Sequence, residues 1–445
     1  MNTEELKKFF AGKVILPGDP EYDQAVSTMA GKKGTPVVVL RPSDASGVAG
    51  AVKFAQDNGL AIAVKGGGHS VGAYGTNDGG LVIDMSGMSR VEMIDEGKHL
   101  VRVGAGATWA QVAETLKPHG LAISSGDTKS VGVAGLTLGA GVGWMVRKHG
   151  LAIDQLRGAE IVTADGRVLR LNEGENSDLF WAIRGGGGNF GVVTSFDFEA
   201  HPTGKVFAGM IIYAFEDVEQ AIKSWRDAMR AAPEELTTML LAMAGFPPGS
   251  GNPSMLMTLN CYAGDDESAA NAALDPIRKI GKVTQDMIKL KDYADVLEEA
   301  HPPGGIKAVV NNAAIDDFSD EAIASIAGMF KDGHGPVLQI RSVGGAMGRV
   351  ATEATAFAHR KAEVIIVCPT FVQPAATQDE INEALKPWQS IARFSNGAYV
   401  NFVSEEGGTN IEAVYPPATL DRLRQVKAKY DPSNVFCRNY NIKVN

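Results

Sequence analysis

Thirty-four of the 52 glycines in this chain of 445 residues fall in the first 200 positions, and only 18 in the 245 that follow. The first stretch is therefore 17% glycine (34 of 200), against about 7% in ordinary proteins. Glycine loses more backbone entropy on folding than any other residue, so such an excess needs a use. The available uses are close approach of main chain to another group, positive φ, or amides turned toward an anion.

The glycines punctuate a readable order of elements. Pro36–Leu40 reads as a buried strand, and Ser43-Asp44 supply N-cap chemistry for a helix to about Asn58, with Val48, Val52 and Ala55 on one stripe. Ala61–Lys65 reads as the next strand of a βαβ-like unit, and Gly66–Ser70 (GGGHS) follows it directly. Strands are predicted at Leu81–Asp84, Val91–Ile94 and Leu100–Val103, and Thr108 caps a helix that ends at Gly120. Ser124–Gly150 reads as irregular. Ile161–Leu171 is a predicted hairpin turning at Asp165-Gly166, followed by a short helix (SDLFWAI), RGGGGNFG and a strand (VVTSFDFE).

From about His201 the texture changes. Longer strands (VFAGMIIYAF, TTMLLAM, SMLMTLNCYA, PVLQIRSV, AEVIIVCP, AYVNFV) alternate with acidic helices near 216–231, 266–277, 319–331 and 377–391. That is an α+β pattern with a sizeable sheet.

Composition excludes several function classes. The length exceeds one ordinary core, so two or three cooperating domains are expected. A net charge of −10, from 42 Lys+Arg and 52 Asp+Glu, argues against nucleic acid or anionic membrane as partner. Cys261, Cys368 and Cys437 cannot build a disulfide framework and show no metal-ligand spacing, so no metal is expected. Met1–Lys8 lacks the basic and apolar regions of a signal peptide. No apolar run reaches the ~18–20 residues of a membrane span, and a cytoplasmic protein is expected.

Two glycine clusters offer cofactor chemistry and one does not. Gly186-x-Gly188-x-x-Gly191 satisfies GxGxxG as a string, but a helix precedes it and a strand follows. The dinucleotide fingerprint needs the reverse order, so nicotinamide binding there is rejected. In GGGHS, three successive amides after a strand can converge on a phosphate pair, and imidazole is a competent nucleophile at His69. The competing reading is a tight surface loop with an incidental histidine. Gly126–Gly143 forms a second such loop, able to cover the same ligand.

Four segments carry a family resemblance: VKGGGHSVGAYGTNDGGLVIDMSGM, SGDTKSVGVAGLTLGAGVGWMVRKHGLAIDQL, LFWAIRGGGGNFGVVTSFDFE and RLRQVKAKYDPSNVFCRNYNI. In this order, and across essentially the whole chain, they resemble the flavin oxidases of the berberine-bridge-enzyme group, within the vanillyl-alcohol-oxidase (PCMH-type) superfamily. The resemblance implies a PCMH-type FAD-binding domain of two α/β subdomains over 1–202. It also implies an inserted α+β substrate domain on a large antiparallel sheet over 203–410, and a C-terminal segment, 411–445, returning to the FAD domain.

By the same resemblance, FAD is bound covalently through His69 to the flavin 8α carbon, with Lys65, Gly66, Gly67, Gly68 and Ser70 in the pyrophosphate loop. Gly126, Thr128, Ser130, Val131, Gly132, Gly135, Gly139, Gly141 and Gly143 would line the flavin. Gly191, Val192 and Val193 would contact the adenosine side, and Asn439 and Asn441 would return to the ring. Many relatives add a second link from a cysteine where this chain has Thr128, so a single link is implied.

The substrate is expected between the flavin and the large sheet, a small molecule whose C–H next to oxygen or nitrogen gives up a hydride. Strand alternation places Gln339, Arg341 and Val343 on one face, which the resemblance, extended to the following Gly344–Met347, turns toward the pocket. The competing reading of Arg341 is a surface or interdomain ion pair. In relatives acting on sugars and phenols, a Y-x-N-Y strand supplies a tyrosine base; here the matching residue is Phe402. Tyr399, three residues earlier on a strand, would then point away and pack. Either another group such as Tyr74 acts as base, or the substrate needs little base, as an amine donor would; Tyr74 stands five residues after His69, where the residue influences oxygen access in relatives. His119, His149, His334 and His359 have no partner spacing and read as structural. The expected activity is an oxidase with O2 as acceptor giving H2O2. A dehydrogenase of the same fold and a non-catalytic flavin-binding protein are the alternatives, and the oligomeric state is open.

Overall fold

The structure, a computed structural model, describes residues 6–7, 10–245, 252–299, 306–333 and 335–444. His334 and most of Met1–Lys8 lie outside them. Three sheets organise the chain. The first holds β1 (Gly12–Ile15), β2 (Val38–Pro42), β3 (Ile62–Lys65) and β4 (Leu81–Asp84) in the order β1-β2-β4-β3. β2, β4 and β3 run parallel, with Val38 and Ile62 both opposite Leu81, and β1 is antiparallel. The helix Ala45–Asp57 links β2 to β3, and the Asp44 carboxylate accepts from Gly47 N at 2.9 Å as its N-cap. Its Val48, Ala51, Val52 and Ala55 stripe is fully buried between this sheet and the next.

The second sheet, β5 (Val91–Asp95), β6 (Leu100–Gly104), β7 (Leu156–Val162), β8 (Val168–Leu171) and β9 (Val192–Glu199), is antiparallel in the order β5-β6-β9-β7-β8. The predicted Asp165-Gly166 turn joins β7 to β8, with Gly166 at φ 80°. Thr108 and Gln111 close a capping box on the helix Trp109–Leu116.

The third sheet is eight-stranded and antiparallel. It comprises β10 (Lys205–Tyr213), β11 (Leu236–Met243), β12 (Met255–Tyr262), β13 (Val283–Asp286), β14 (Lys289–Asp292), β15 (Lys307–Ile315), β16 (Val337–Ser342) and β17 (Val364–Val372). Its order is β13-β10-β12-β11-β16-β17-β15, with β14 also on β10. The expected large antiparallel sheet is thus present, and the change of texture near His201 falls between β9 and β10.

Several local expectations need correction. Ser124–Gly150 is not irregular throughout: Val133–Gly139 and Val146–His149 are helical. The acidic helix expected over 319–331 stops at Ala327 and continues as a 3₁₀ turn. The one over 377–391 is broken after Ala384, where Lys386–Trp388 forms a 3₁₀ turn around Pro387. Strands β1, β13, β14 and β15 carry no clean apolar alternation and are not legible in the sequence.

The most consequential difference is AYVNFV. It is not a strand but a 3₁₀ turn, Val400–Phe402. Asn312 of β15 fixes that turn, its amide donating to Tyr399 O (2.9 Å) and Phe402 O (3.0 Å) while its Oδ1 accepts from Tyr399 N (2.7 Å).

The tail returns to the first two sheets. Helix Pro417–Tyr430 ends in a fully buried ion pair, Lys427 Nζ to Asp431 Oδ2 at 2.6 Å. Nζ also donates to Asn189 O (2.7 Å) and Phe436 O (3.1 Å), and the Asp431 carboxylate accepts from Val435 N and Phe436 N. A buried pair is tolerable only with its remaining hydrogen bonds made, and here they are. The YDPSNVF signature is therefore a clamp that seats the tail on the loop around Asn189. Among the described residues, no helix is long and apolar enough to cross a membrane.

Candidate active site

A cavity of about 350 Å³ runs between the first sheet, the loop after residue 125, the start of β9 and the returning tail. That size suits a bound organic ligand. Several main-chain segments form its walls. Gly66, Gly67, Gly68, His69 and Ser70 follow β3; Gly126, Thr128, Val131, Gly132 and Gly135 face them; Gly191, Val192, Val193 and Asn439 close another side. Asp127, Gly188, Tyr415, Arg438 and Tyr440 also line it. Of these, Tyr415, Arg438 and Tyr440 lie in or beside the tail signature, whereas Asp127 gives no sequence signal.

The two glycine loops touch. A Cβ on Gly67 would lie 2.3 Å from Gly132 N, and one on Gly132 would lie 2.2 Å from Gly67 N. Only glycine permits that approach. The contact brings His69 to Ser130, whose Oγ is 2.8 Å from His69 Nε2 and also donates to Glu299. Burial lowers the His69 pKa, against the pull of Glu299 and Asp127, so the imidazole is neutral near neutral pH.

Several expected lining residues sit elsewhere. Lys65 turns away from the cavity and donates to the carbonyls of Gln24 (2.9 Å) and Ala25 (2.8 Å), groups at the end of the helix Tyr22–Val26. Gly139, Gly141 and Gly143 are packing glycines behind the wall. A Cβ there would meet the Asn401 side chain at 2.1 Å, the Ala152 side chain at 2.5 Å and Ser125 O at 1.6 Å respectively. Asn441 lies off the lining, its Oδ1 buried and without a partner among the described residues. Ser130 acts on the cavity only through His69.

Gln339 and Arg341 do share one face, but they stand one layer behind the cavity wall. Arg341 Nη1 donates to Asp127 Oδ2 at 2.7 Å, Nη2 donates to Gln339 Oε1 at 3.0 Å, and the guanidinium lies 5.1 Å from the Phe402 ring centre. Arg341 is therefore held in an ion pair between β16 and the loop after residue 125. Burial would raise the Asp127 carboxyl, but the Arg341 guanidinium outweighs it and holds the pKa below the usual carboxylate range. Gly345, of the segment expected at the pocket, packs on Arg147 O instead.

Tyr399 and Phe402 both line the cavity, because residues three apart eclipse in a 3₁₀ turn. Their rings meet edge to face at 5.3 Å. The Tyr399 hydroxyl accepts from Gly141 N (3.0 Å) and Asn401 Nδ2 (2.7 Å). Burial pushes its pKa up to about 12. Tyr74 also lines the cavity, and burial raises its pKa too. Neither phenol is poised as a base near neutral pH.

The cavity suits a dinucleotide. Its walls are glycine main chain on two sides, Arg438 contributes positive charge, and two lining atoms, the Tyr415 hydroxyl and Asn439 Oδ1, are buried without a partner among the described residues. Buried polar atoms are normally bonded, so these two are apt to meet a ligand.

Comparison with known proteins agrees. The family model described as FAD binding domain matches residues 14–172, and that described as berberine and berberine like matches 398–443. (R)-6-hydroxynicotine oxidase of Paenarthrobacter nicotinovorans is 30% identical over 97% of this chain and 96% of its own. The crystal structure of 6-hydroxy-D-nicotine oxidase from Arthrobacter nicotinovorans superposes with a TM-score of 0.86 at 28% identity, covering 98% of each chain. A chitooligosaccharide oxidase structure gives a TM-score of 0.84 at 25% identity, covering 98% of this chain and 97% of that one.

Proposed function

The chain belongs to the berberine-bridge-enzyme-like FAD-linked oxidoreductases, and from that premise we propose that it is an oxidase of a small amine, with FAD linked once, through His69. The carrying observation is that burial raises the pKa of every tyrosine on the lining, Tyr74, Tyr399, Tyr415 and Tyr440, so that none is ionised to take a substrate hydroxyl proton near neutral pH. Phe402 has no proton to exchange, Tyr399 is held up to about 12 by burial, and Asp127 is too weak a base beside Arg341. An alcohol must lose its hydroxyl proton as the hydride leaves, whereas the nitrogen lone pair of a neutral amine supplies that electron push itself.

When bound, FAD supplies the two-electron acceptor, at N5. The chain's own groups do the rest. Gly66–Gly68 and Gly132 allow main chain to approach the cofactor, and Arg438 offers positive charge. Leu136, Leu138, Val142 and Phe402 make the other end of the cavity apolar and keep water from the reacting carbon. Tyr399, locked by Gly141 and Asn401, presents a fixed phenol edge against which a ring can stack.

Residues 1–202 with 411–445 serve as the cofactor unit and 203–410 as the substrate unit, a division that the sheet boundaries support. Dioxygen is the acceptor in this reading, giving hydrogen peroxide. Three free cysteines fit a reducing, cytoplasmic setting.

The test is an anaerobic screen of the purified holoprotein against cyclic amines, secondary alcohols, phenolic alcohols and oligosaccharides, read as bleaching of the flavin absorbance. Bleaching by an amine, with peroxide formed on admitting air, is expected. Bleaching by alcohols or sugars alone would overturn the amine reading, and no bleaching by any class would favour a binding protein.

A further inference from the structure

We propose that Ser130 and Glu299 form a proton relay on His69 that fixes its tautomer and drives formation of the flavin link at Nδ1. The inference rests on the reading of His69 as the attachment site. It starts from one hydrogen-bond chain. Ser130 Oγ lies 2.8 Å from His69 Nε2, and the same hydroxyl donates to the Glu299 carboxylate. A hydroxyl has a single proton, and an ionised carboxylate only accepts. Ser130 therefore gives its proton to Glu299 and must accept from Nε2–H. The lone pair is left on Nδ1, which has no hydrogen-bond partner among the described residues.

The chain is built from three separated segments held in register. Gly67 against Gly132 presses the His69 loop onto the Ser130 loop. On the other side, Thr128 pairs with Glu298 as a parallel bridge, with Lys129 N donating to Glu298 O at 2.9 Å and Glu298 N donating to Asp127 O at 3.1 Å. These two backbone bonds place the next residue, Glu299, over Ser130. A carboxylate from the substrate unit is thereby docked on the attachment histidine of the cofactor unit.

The chemistry balances as follows. The Nδ1 lone pair forms the new bond to the 8α carbon, and one proton leaves that carbon. The alkylated ring then holds a positive charge, and its Nε2 proton passes to Ser130 as the Ser130 proton passes to Glu299. Two electrons remain on the flavin, and dioxygen takes them up with two protons as hydrogen peroxide. Ser130 and Glu299 are positioning residues here, since both act through His69.

The experiment compares the wild-type chain with Ser130→Ala, Glu299→Gln, Ser130→Thr and His69→Ala. Each is produced in flavin-starved cells, then given FAD in air. Total bound flavin is read from visible absorbance after desalting, and covalent flavin from the colour that stays with acid-precipitated protein. Ser130→Ala and Glu299→Gln are expected to bind FAD but to attach it about tenfold or more slowly. Ser130→Thr is expected to restore attachment.

Attachment at the wild-type rate in both Ser130→Ala and Glu299→Gln, with His69→Ala non-covalent, would overturn the relay and leave the attachment site standing. Acid-stable flavin in His69→Ala, or none in the wild type, would overturn the attachment site and the relay with it. Should Ser130→Ala fail to take up FAD, the exposed Glu299→Gln variant decides alone.

Discussion

Gly67 and Gly132 meet main chain to main chain, so that a methyl group on either would fall 2.2–2.3 Å from the other's amide nitrogen. The contact closes two loops that are 65 residues apart in the chain into one wall of the cavity. Gly67→Ala must force the loops apart, because the obstructing atoms are backbone and cannot rotate away. The expected result is protein that folds but retains little flavin, seen as a reduced ratio of visible to ultraviolet absorbance. Gly50→Ala is the control: it sits exposed within a helix with nothing within 4 Å of the added Cβ. It should keep full flavin and gain roughly 0.5–1 kcal/mol. Normal flavin content in Gly67→Ala would refute the close approach.

Phe402→Tyr tests the absence of a base. The new phenol would stand near the Arg341 guanidinium, now 5.1 Å from the ring centre, and the cation would favour its ionised form. Anaerobic flavin reduction by alcohols or sugars should rise by about tenfold or more over wild type. Tyr399→Phe should behave differently. It strands Gly141 N and one N–H of the Asn401 amide, whose other still reaches Leu136 O, and should cost about 1–3 kcal/mol of stability. It should leave the pH profile of turnover unchanged in the neutral range; a lost limb there would show that Tyr399 titrates in catalysis.

Asp127→Asn leaves the nearly buried Arg341 guanidinium without its counter-charge. Removing one partner of a fully buried pair costs about 3–5 kcal/mol, and roughly 2–3 is expected here because a quarter of the Asp127 side chain is exposed. The folded pKa of Asp127 lies below its unfolded value, so its contribution is present above about pH 4 and lost in stronger acid. Urea midpoints of wild type and variant should therefore converge as the pH falls below that point. A constant gap would mean that charge is not what the pair contributes.

Much of the architecture is legible in the sequence because it is written in local chemistry. Asp44 and Thr108 cap the helices they announce, Asp165-Gly166 turns its hairpin, and the GxGxxG string fails for the stated reason, since β9 follows it. The glycine excess is legible as close approach, but not which glycines face the ligand. Gly66–Gly68 and Gly132 line the cavity, while Gly139, Gly141 and Gly143 serve other main chain and side chains, and a sequence cannot distinguish the two uses. Tyr399 and Phe402 read as opposite faces of a strand, because the residue that makes the segment a 3₁₀ turn is Asn312, 87 positions away. Asp127 is invisible for the same reason: its partner, Arg341, lies on β16, 214 positions away.

His149 and His201 stack with ring centres 4.0 Å apart at the junction between β9 and β10, and they give the fold an acid-sensitive seam. His149 Nε2 shares a hydrogen bond with Thr203 Oγ1 at 3.1 Å, and His201 Nε2 is buried without a partner among the described residues. Burial, with His201 and Lys148 adding to it, pushes the His149 pKa down to about 3, and burial also lowers that of His201. The unfolded chain binds these protons near pH 6.5, before the folded one does. Stability is therefore full above about pH 6.5 and falls as the pH drops toward 3. Urea midpoints should decline between about pH 7 and pH 5, a window in which ordinary carboxylates are still largely ionised. His149→Gln keeps a polar group for Thr203 and removes the titration, so its midpoint should change less across that window. An identical slope in the variant would place the acid sensitivity elsewhere in the molecule.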